Sequence, residues 1–160
     1  MNMLDRCTHY LSNYDVRYSH SIHSPAGTAL EVADRDRVSP HEVAKAVAYI
    51  GDDGYGLAVV PADCAVDLSR VCMLLGLTSI RVASEAELEL LLPGSEHGAL
   101  PPFGALFGIP VILDSRLAEQ DFIVCSAGTP RDVLRMSVVD FLRVVHPVVG
   151  SFALQMAEVG

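Results

Sequence analysis

Val43-Ala44-Lys45-Ala46-Val47-Ala48-Tyr49-Ile50-Gly51-Asp52-Asp53-Gly54-Tyr55-Gly56-Leu57-Ala58-Val59-Val60-Pro61 is the stretch on which the fold turns. Gly51-Asp52-Asp53-Gly54 is a turn signal, and Gly56 to Pro61 is an apolar, β-branched run of the kind that forms a buried strand. The run before the turn is ambiguous by itself. Ser39-Pro40-His41-Glu42 carries a helix start signal, and Val43 to Ile50 fits a full helix about as well as one helical turn giving way to a strand. The strand across the turn favours the second reading, a β-hairpin. On a strand, Val43, Lys45, Val47 and Tyr49 share one face, and Lys45 would project among apolar neighbours toward a pocket.

Lys45 is the only lysine in the 160 residues, against ten arginines. Lysine carries a compact, strongly hydrated point charge suited to a phosphate or a developing oxyanion, whereas arginine is a planar fork. The same position also fits a side chain that buries its stem and reaches solvent with its head. Composition leaves both readings open.

Working outward, an amphipathic helix is expected from about Leu4 to Tyr14. Thr28 caps a second helix through Ala33, with Glu31 placed to complete a capping box. Asp67 or Ser69 opens a helix to about Leu75 that ends on Gly76, and Ser79 to Val82 is a short strand. Ser84 caps a helix through Leu91 with Glu87 as its reciprocal partner, and Pro93 ends it. Pro110–Asp114, Phe122–Cys125 and Val133–Met136 are strands, and Ser137 or Asp140 starts a last helix to about Val145. This order implies an α/β chain with a mixed, partly antiparallel sheet and helices packed around it, in a single domain.

The chain is 51% hydrophobic and 19% charged, enough apolar content for a filled core and too much for disorder. No apolar run approaches the ~18–20 residues of a membrane span, and Met1 to Cys7 lacks a secretion layout, so a cytoplasmic protein is expected. Cys7, Cys64, Cys72 and Cys125 have neither zinc-knuckle nor redox spacing and read as small buried hydrophobes. His20 and His23 have no acidic sequence neighbour, so neither a metal nor another cofactor is implied. The net charge of −9 weighs against broad binding of a nucleic-acid backbone such as DNA. A polyanion would have to be gripped locally.

Two glycine-containing segments stand apart. Gly94-Ser95-Glu96-His97-Gly98-Ala99-Leu100-Pro101-Pro102-Phe103-Gly104 packs three glycines and two prolines into eleven residues, a constrained wall. Ser126-Ala127-Gly128-Thr129-Pro130 directly follows a strand, where backbone N–H groups could face a carbonyl or phosphate oxygen. Ordinary tight turns look the same.

From His23 to about Ala153 the chain resembles the YbaK/ProX-type aminoacyl-tRNA deacylases, free-standing relatives of the editing domain inserted in bacterial prolyl-tRNA synthetases. The resemblance is carried by His23 with Pro25, Thr28-Ala29-x-Glu31-Val32-Ala33, Ala44-Lys45-x-Val47, Val60-Pro61-Ala62, Val66-Asp67-Leu68 and Arg81-x-Ala83-Ser84. Glu96-x-Gly98-Ala99-x-Pro101-Pro102-Phe103-Gly104, the most distinctive match, follows, with Asp114, Ala127-Gly128-Thr129 and Arg135-Met136 after it. The chain departs from the family at Ala46, Gly94-Ser95 and Pro130.

The resemblance implies the YbaK-like fold, with the sheet curled toward a barrel, and hydrolysis of the ester joining a wrong, small amino acid to the terminal ribose of a tRNA. It makes Lys45 the catalytic residue. His23, Thr28, Gly98, Ala99, Pro102, Phe103, Gly104, Gly128 and Thr129 become the substrate-binding set, Phe103 either stacking on the terminal adenine or plugging the core. The implied partners are the 3′ end of aminoacyl-tRNA and a helper synthetase or elongation factor. An aminoacyl ester is labile, so holding it, admitting water and placing positive charge or N–H groups at the oxyanion would suffice. The alternative is a binding module of the same fold without catalysis.

Overall fold

A computed structural model describes residues 2–93 and 99–156. Helix α1 (Met3–Asn13) begins where the Asn2 side chain accepts the Asp5 N–H at 2.8 Å, and it buries Met3, Cys7, Tyr10 and Leu11 along one stripe. Strand β1 (Tyr18–Ile22) was not legible in advance, because its Tyr-Ser-His-Ser-Ile run is mostly polar and exposed. Helix α2 (Ala29–Asp36) is capped by the Thr28 hydroxyl, but Glu31 accepts the Gly27 N–H at 2.9 Å. The reciprocal bond therefore falls one residue before the cap instead of on it.

Residues 40–42 form a single turn, and β2 (Ala44–Gly51) pairs antiparallel with β3 (Gly54–Pro61) in the register Lys45 to Val60 and Gly51 to Gly54. The hairpin is thus the second of the two readings. Then come β4 (Cys64–Val66), α3 (Leu68–Leu75), β5 (Ile80–Val82), α4 (Glu85–Leu91), a 3₁₀ turn at Gly104–Leu106, β6 (Val111–Asp114) and α5 (Ser115–Ala118). The chain continues with β7 (Phe122–Ser126), β8 (Asp132–Ser137), α6 (Val138–Val145), β9 (Val148–Gly150) and β10 (Ala153–Gln155). Asp67, Ser84 and Ser137 are the N-caps of α3, α4 and α6, each accepting a backbone N–H with its side chain, and Ser84 with Glu87 forms a complete capping box.

The strands form a five-stranded sheet, β5-β2-β3-β6-β9, a three-stranded sheet, β1-β8-β7, and the pair β10-β4. β3–β6 and β6–β9 are parallel and the other ladders antiparallel, so the architecture is mixed α/β as expected. The two larger sheets meet at one parallel bridge between Val43 and Val124, where the Val124 N–H donates to the Glu42 carbonyl at 2.9 Å. They curl toward each other without closing into a barrel.

Alternation along β3 divides the interior. Leu57 and Val59 face the larger core with Leu113, Phe103, Phe141 and the buried stripe of α1, while Ala58 and Val60 face a second core with Ile112, Val71 and Phe152. Asp114 is 1% exposed and ties this frame together. One carboxylate oxygen accepts the Arg116 N–H at 2.9 Å, and the other accepts the Phe152 and Ala153 N–H groups at 2.9 and 2.8 Å, so its charge is fully hydrogen-bonded.

Candidate active site

The geometry of β2 sets the site. In a hairpin closed by two residues, the odd-numbered positions of β2 turn their backbone groups toward β3 and the even-numbered positions turn theirs outward. Two hydrogen bonds fix this sense: the Val43 carbonyl accepts the Ala62 N–H at 2.9 Å on the β3 side, and the Ala48 carbonyl accepts the Ala83 N–H at 2.9 Å on the outer side. β5 then covers only Tyr49 to Gly51 of that outer edge. Between Ala48 and the Val43–Val124 bridge, no strand among the described residues covers it.

A cleft of about 420 Å³ opens along this uncovered edge, within the size range of small-ligand sites, roughly 300–1,000 Å³. Ala44, Ala46 and Ala48 supply short side chains, Leu88 of α4 and Leu92 just after it form an apolar wall with Leu100, and Thr28 and Ser126 supply two hydroxyls. Three alanines at alternate positions leave the space a larger residue would fill. The valine–alanine alternation of Val43 to Ile50 carries that spacing in the sequence, but alternation alone does not tell a cleft floor from ordinary strand packing.

Lys45 also lines the cleft, half-buried, and makes no ion pair among the described residues. Burial lowers its pKa from the usual lysine range, and the nearby Cys64 and Asp63 oppose that shift only in part. Asp63 is itself engaged by His41 at 3.2 Å and by the Gln155 amide at 2.9 Å. The result is a desolvated amine whose charge is not spent on a neighbouring carboxylate. Glu85 and Glu89 line the end of the cleft next to Ala83, giving it one cationic and one acidic region.

The other expected binding residues lie elsewhere or serve the frame. Phe103 is 0% exposed between Tyr10 and Phe141, with ring centroids 5.6 and 6.2 Å away, so the core-plug reading holds and adenine stacking is withdrawn. Pro102 is buried beside it, and at Gly104 a Cβ would collide with the Ile109 carbonyl oxygen. Gly98 lies outside the described residues.

Gly128 has φ +91° and donates its N–H to the Ala99 carbonyl at 2.9 Å, joining the two glycine segments to each other. The Thr129 hydroxyl donates to Asp132 at 2.6 Å and accepts the Arg131 and Asp132 N–H groups, closing the bend on itself. The Gly128 amide is therefore committed and does not face a ligand. His23 holds the Ser24 carbonyl through Nδ1 at 2.7 Å and is not in the cleft wall. Its neighbour His20 finds an acidic partner far away in sequence: Nε2 lies 2.7 Å from Asp132, brought from β8 by strand pairing. Among the described residues no cluster of histidine, cysteine and carboxylate side chains could hold a metal ion.

Cys7, Cys64 and Cys125 are buried as expected, whereas Cys72 is only half-buried. Burial pushes the Cys7 thiol up to about 12 and raises Cys125 as well, so neither supplies a thiolate.

A family description of the aminoacyl-tRNA editing domain matches residues 23–144. The chain belongs to this family. The editing domain is 31% identical over 103 residues to the multifunctional Ser/Thr-tRNA deacylase ProXp-y of Escherichia coli K12, and equally to that of E. coli O157:H7. The match takes in 64% of this chain and spans 61% of the relative's length. Among solved structures, a candidate trans-editing enzyme for prolyl-tRNA synthetase superposes with a TM-score of 0.83 at 22% identity, over 96% of this chain and 98% of the other. A longer chain from Marinobacter aquaeolei VT8, described as a signal-transduction protein, gives 0.75 at 18% identity, over 96% of this editing domain but 31% of its own length. These structural likenesses show the fold alone.

Proposed function

We propose that this editing domain is a trans-editing deacylase that hydrolyses the ester of a tRNA carrying a wrong, small amino acid. The observation that carries the reading is the half-buried Lys45 ammonium, without an ion pair among the described residues, on the wall of an alanine-floored cleft. Water attack on an ester carbonyl develops negative charge on one oxygen. A fixed cation in a partly dehydrated cleft stabilises that charge more than bulk water does. The released 3′-hydroxyl of the ribose takes the proton that balances the water.

The short walls fit a small side chain, and a filter against one extra methylene is worth only about 1–3 kcal/mol in a single binding step, which is why a second hydrolytic step has value. The curated relative is named for seryl and threonyl esters, so these are the first substrates to test here. The net charge of −9 makes tRNA binding by this chain weak and salt-sensitive, and a synthetase or elongation factor would then present the charged 3′ end in the cytoplasm.

The test is release of amino acid from tRNAs charged with alanine, serine, cysteine, threonine and proline, with Lys45→Ala alongside. Release from at least one of them, lost in the variant while its circular dichroism is unchanged, is the expected result. Binding of charged tRNA with no turnover by the unmodified protein would make it a binding module instead.

A further inference from the structure

The open edge of β2 presents more than side chains to the cleft. Since the Ala48 carbonyl points outward and the Val43 carbonyl inward, the period of two turns the Ala46 N–H and C=O outward, into the gap between the Ala83 contact and the Val43–Val124 bridge. No strand ladder among the described residues reaches Ala46 on that outer side: β5 pairs only with Tyr49 to Gly51, and β7 touches β2 through the single Val43–Val124 bridge. One strand residue thus offers a donor and an acceptor at the spacing that binds the backbone of a single amino acid laid antiparallel to it.

We propose that Ala46 recognises the aminoacyl group as a one-residue added strand, which makes a free α-ammonium a requirement for hydrolysis. This rests on the deacylase reading above and says how its site holds the substrate. In the antiparallel pairing the Ala46 N–H donates to the ester carbonyl, and the substrate α-ammonium donates to the Ala46 carbonyl. Three features agree with this orientation. The carbonyl falls on the Lys45 side of Ala46, the end of the cleft that carries its cation. The α-ammonium falls on the Ala48 side, toward Glu85 and Glu89. Directly paired antiparallel residues carry their side chains on the same face, so an L-amino acid points its side chain to the Ala44, Ala46 and Ala48 face, against Leu88 and Leu92.

Such an edge reads main-chain groups common to all amino acids and leaves selection of the side chain to size. It also excludes N-blocked esters, such as formyl-aminoacyl-tRNA and peptidyl-tRNA.

The experiment compares single-turnover hydrolysis of threonyl-tRNA and N-acetyl-threonyl-tRNA, with seryl counterparts, by the unmodified protein and by a form in which Ala46 is replaced by lactic acid. That replacement removes the N–H and keeps the methyl group. Ala46→Pro, tolerated at an open strand edge, removes the same donor by ordinary mutagenesis, and melting curves check the fold of both. The expected result is hydrolysis of the free-amine ester, N-acetylation slowing it by about 10²-fold or more, and loss of the Ala46 N–H slowing it by about 10²–10³-fold. Equal rates on blocked and free esters, or an unchanged rate in the folded lactic-acid form, overturns the inference and leaves the deacylase reading intact. If the unmodified protein cleaves neither these esters nor any in the wider screen, the deacylase reading fails and this inference with it.

Discussion

The outer edge of β2 and the bend after β7 are both backbone at the margin of a sheet, and they have opposite fates. In the bend, the Ala127, Gly128, Arg131 and Asp132 amides are taken up by Asp132, Ala99 and the Thr129 hydroxyl. At the β2 edge, the neighbouring strand stops at Gly51 and Tyr49, and the Ala46 groups beyond it face a cleft. Glycine richness in this bend marks a place where chain meets chain closely, whereas the cleft is lined by an ordinary alanine strand whose neighbour ends early. Rigidity and availability are separate properties.

The strongest way to break this contrast is at Lys45. Lys45→Met is expected to lower deacylation by about 10²–10³-fold while stability in urea stays the same or rises, within ~1 kcal/mol. The sign follows from burial: the folded pKa lies below the unfolded one, so the unfolded chain binds more protons between the two values and stability climbs with pH across that window. The methionine variant should lose that alkaline climb. A large loss of stability with activity retained would make Lys45 a frame residue.

Asp114→Ala probes the frame alone. It strands two buried N–H donors and a part-buried third and should cost ~3 kcal/mol in urea denaturation, with the Lys45 cleft otherwise unchanged. Gly128→Ala forces a side chain onto a backbone at φ +91° and should cost about 1–2 kcal/mol. If the bend is only architectural, the folded variant keeps deacylation within about threefold of the original; a loss as large as that of Lys45→Met would return Gly128 to the site.

The smallest effect is in acid. Asp52 is held down to about 2, first by the Thr78 N–H and hydroxyl, and Glu87 to about 2, first by the Arg81 guanidinium. Both carboxylates have folded pKa values below their unfolded ones, so their contribution is complete above pH ~5 and drains away as pH falls toward 2. Asp52→Asn should flatten part of that acid slope in pH-dependent melting curves and leave the neutral region nearly unmoved.

The long elements were legible because each carries its own start, stop and period: Ser84 with Glu87 opens α4, Gly76 closes α3, and the Gly-Asp-Asp-Gly turn aligns β2 with β3. The expected capping box at Thr28 failed by one residue because the Glu31 carboxylate found the Gly27 amide first. β1, β4, β9 and β10 have no legible signal, since three to five residues are too few to show a period and pair only because a partner strand lies beside them. Lys45 and Thr28 were found in the cleft, but Phe103 and Gly104 turned out to be packing residues. A distinctive motif reports that its positions are constrained, without saying whether a ligand or the protein's own chain imposes the constraint.

By itself the amino-acid order determined the hairpin, the capped helices and the solitary ammonium on β2, since each depends on contacts spanning a few residues, and the order of elements implied a mixed sheet without fixing its long-range ladders. Only the tertiary arrangement decided where β5 stops, which amides the glycine bends consume, and hence that Ala46 is left facing a cleft. Those outcomes depend on which distant segment reaches a backbone group first, and local periodicity carries no record of that competition.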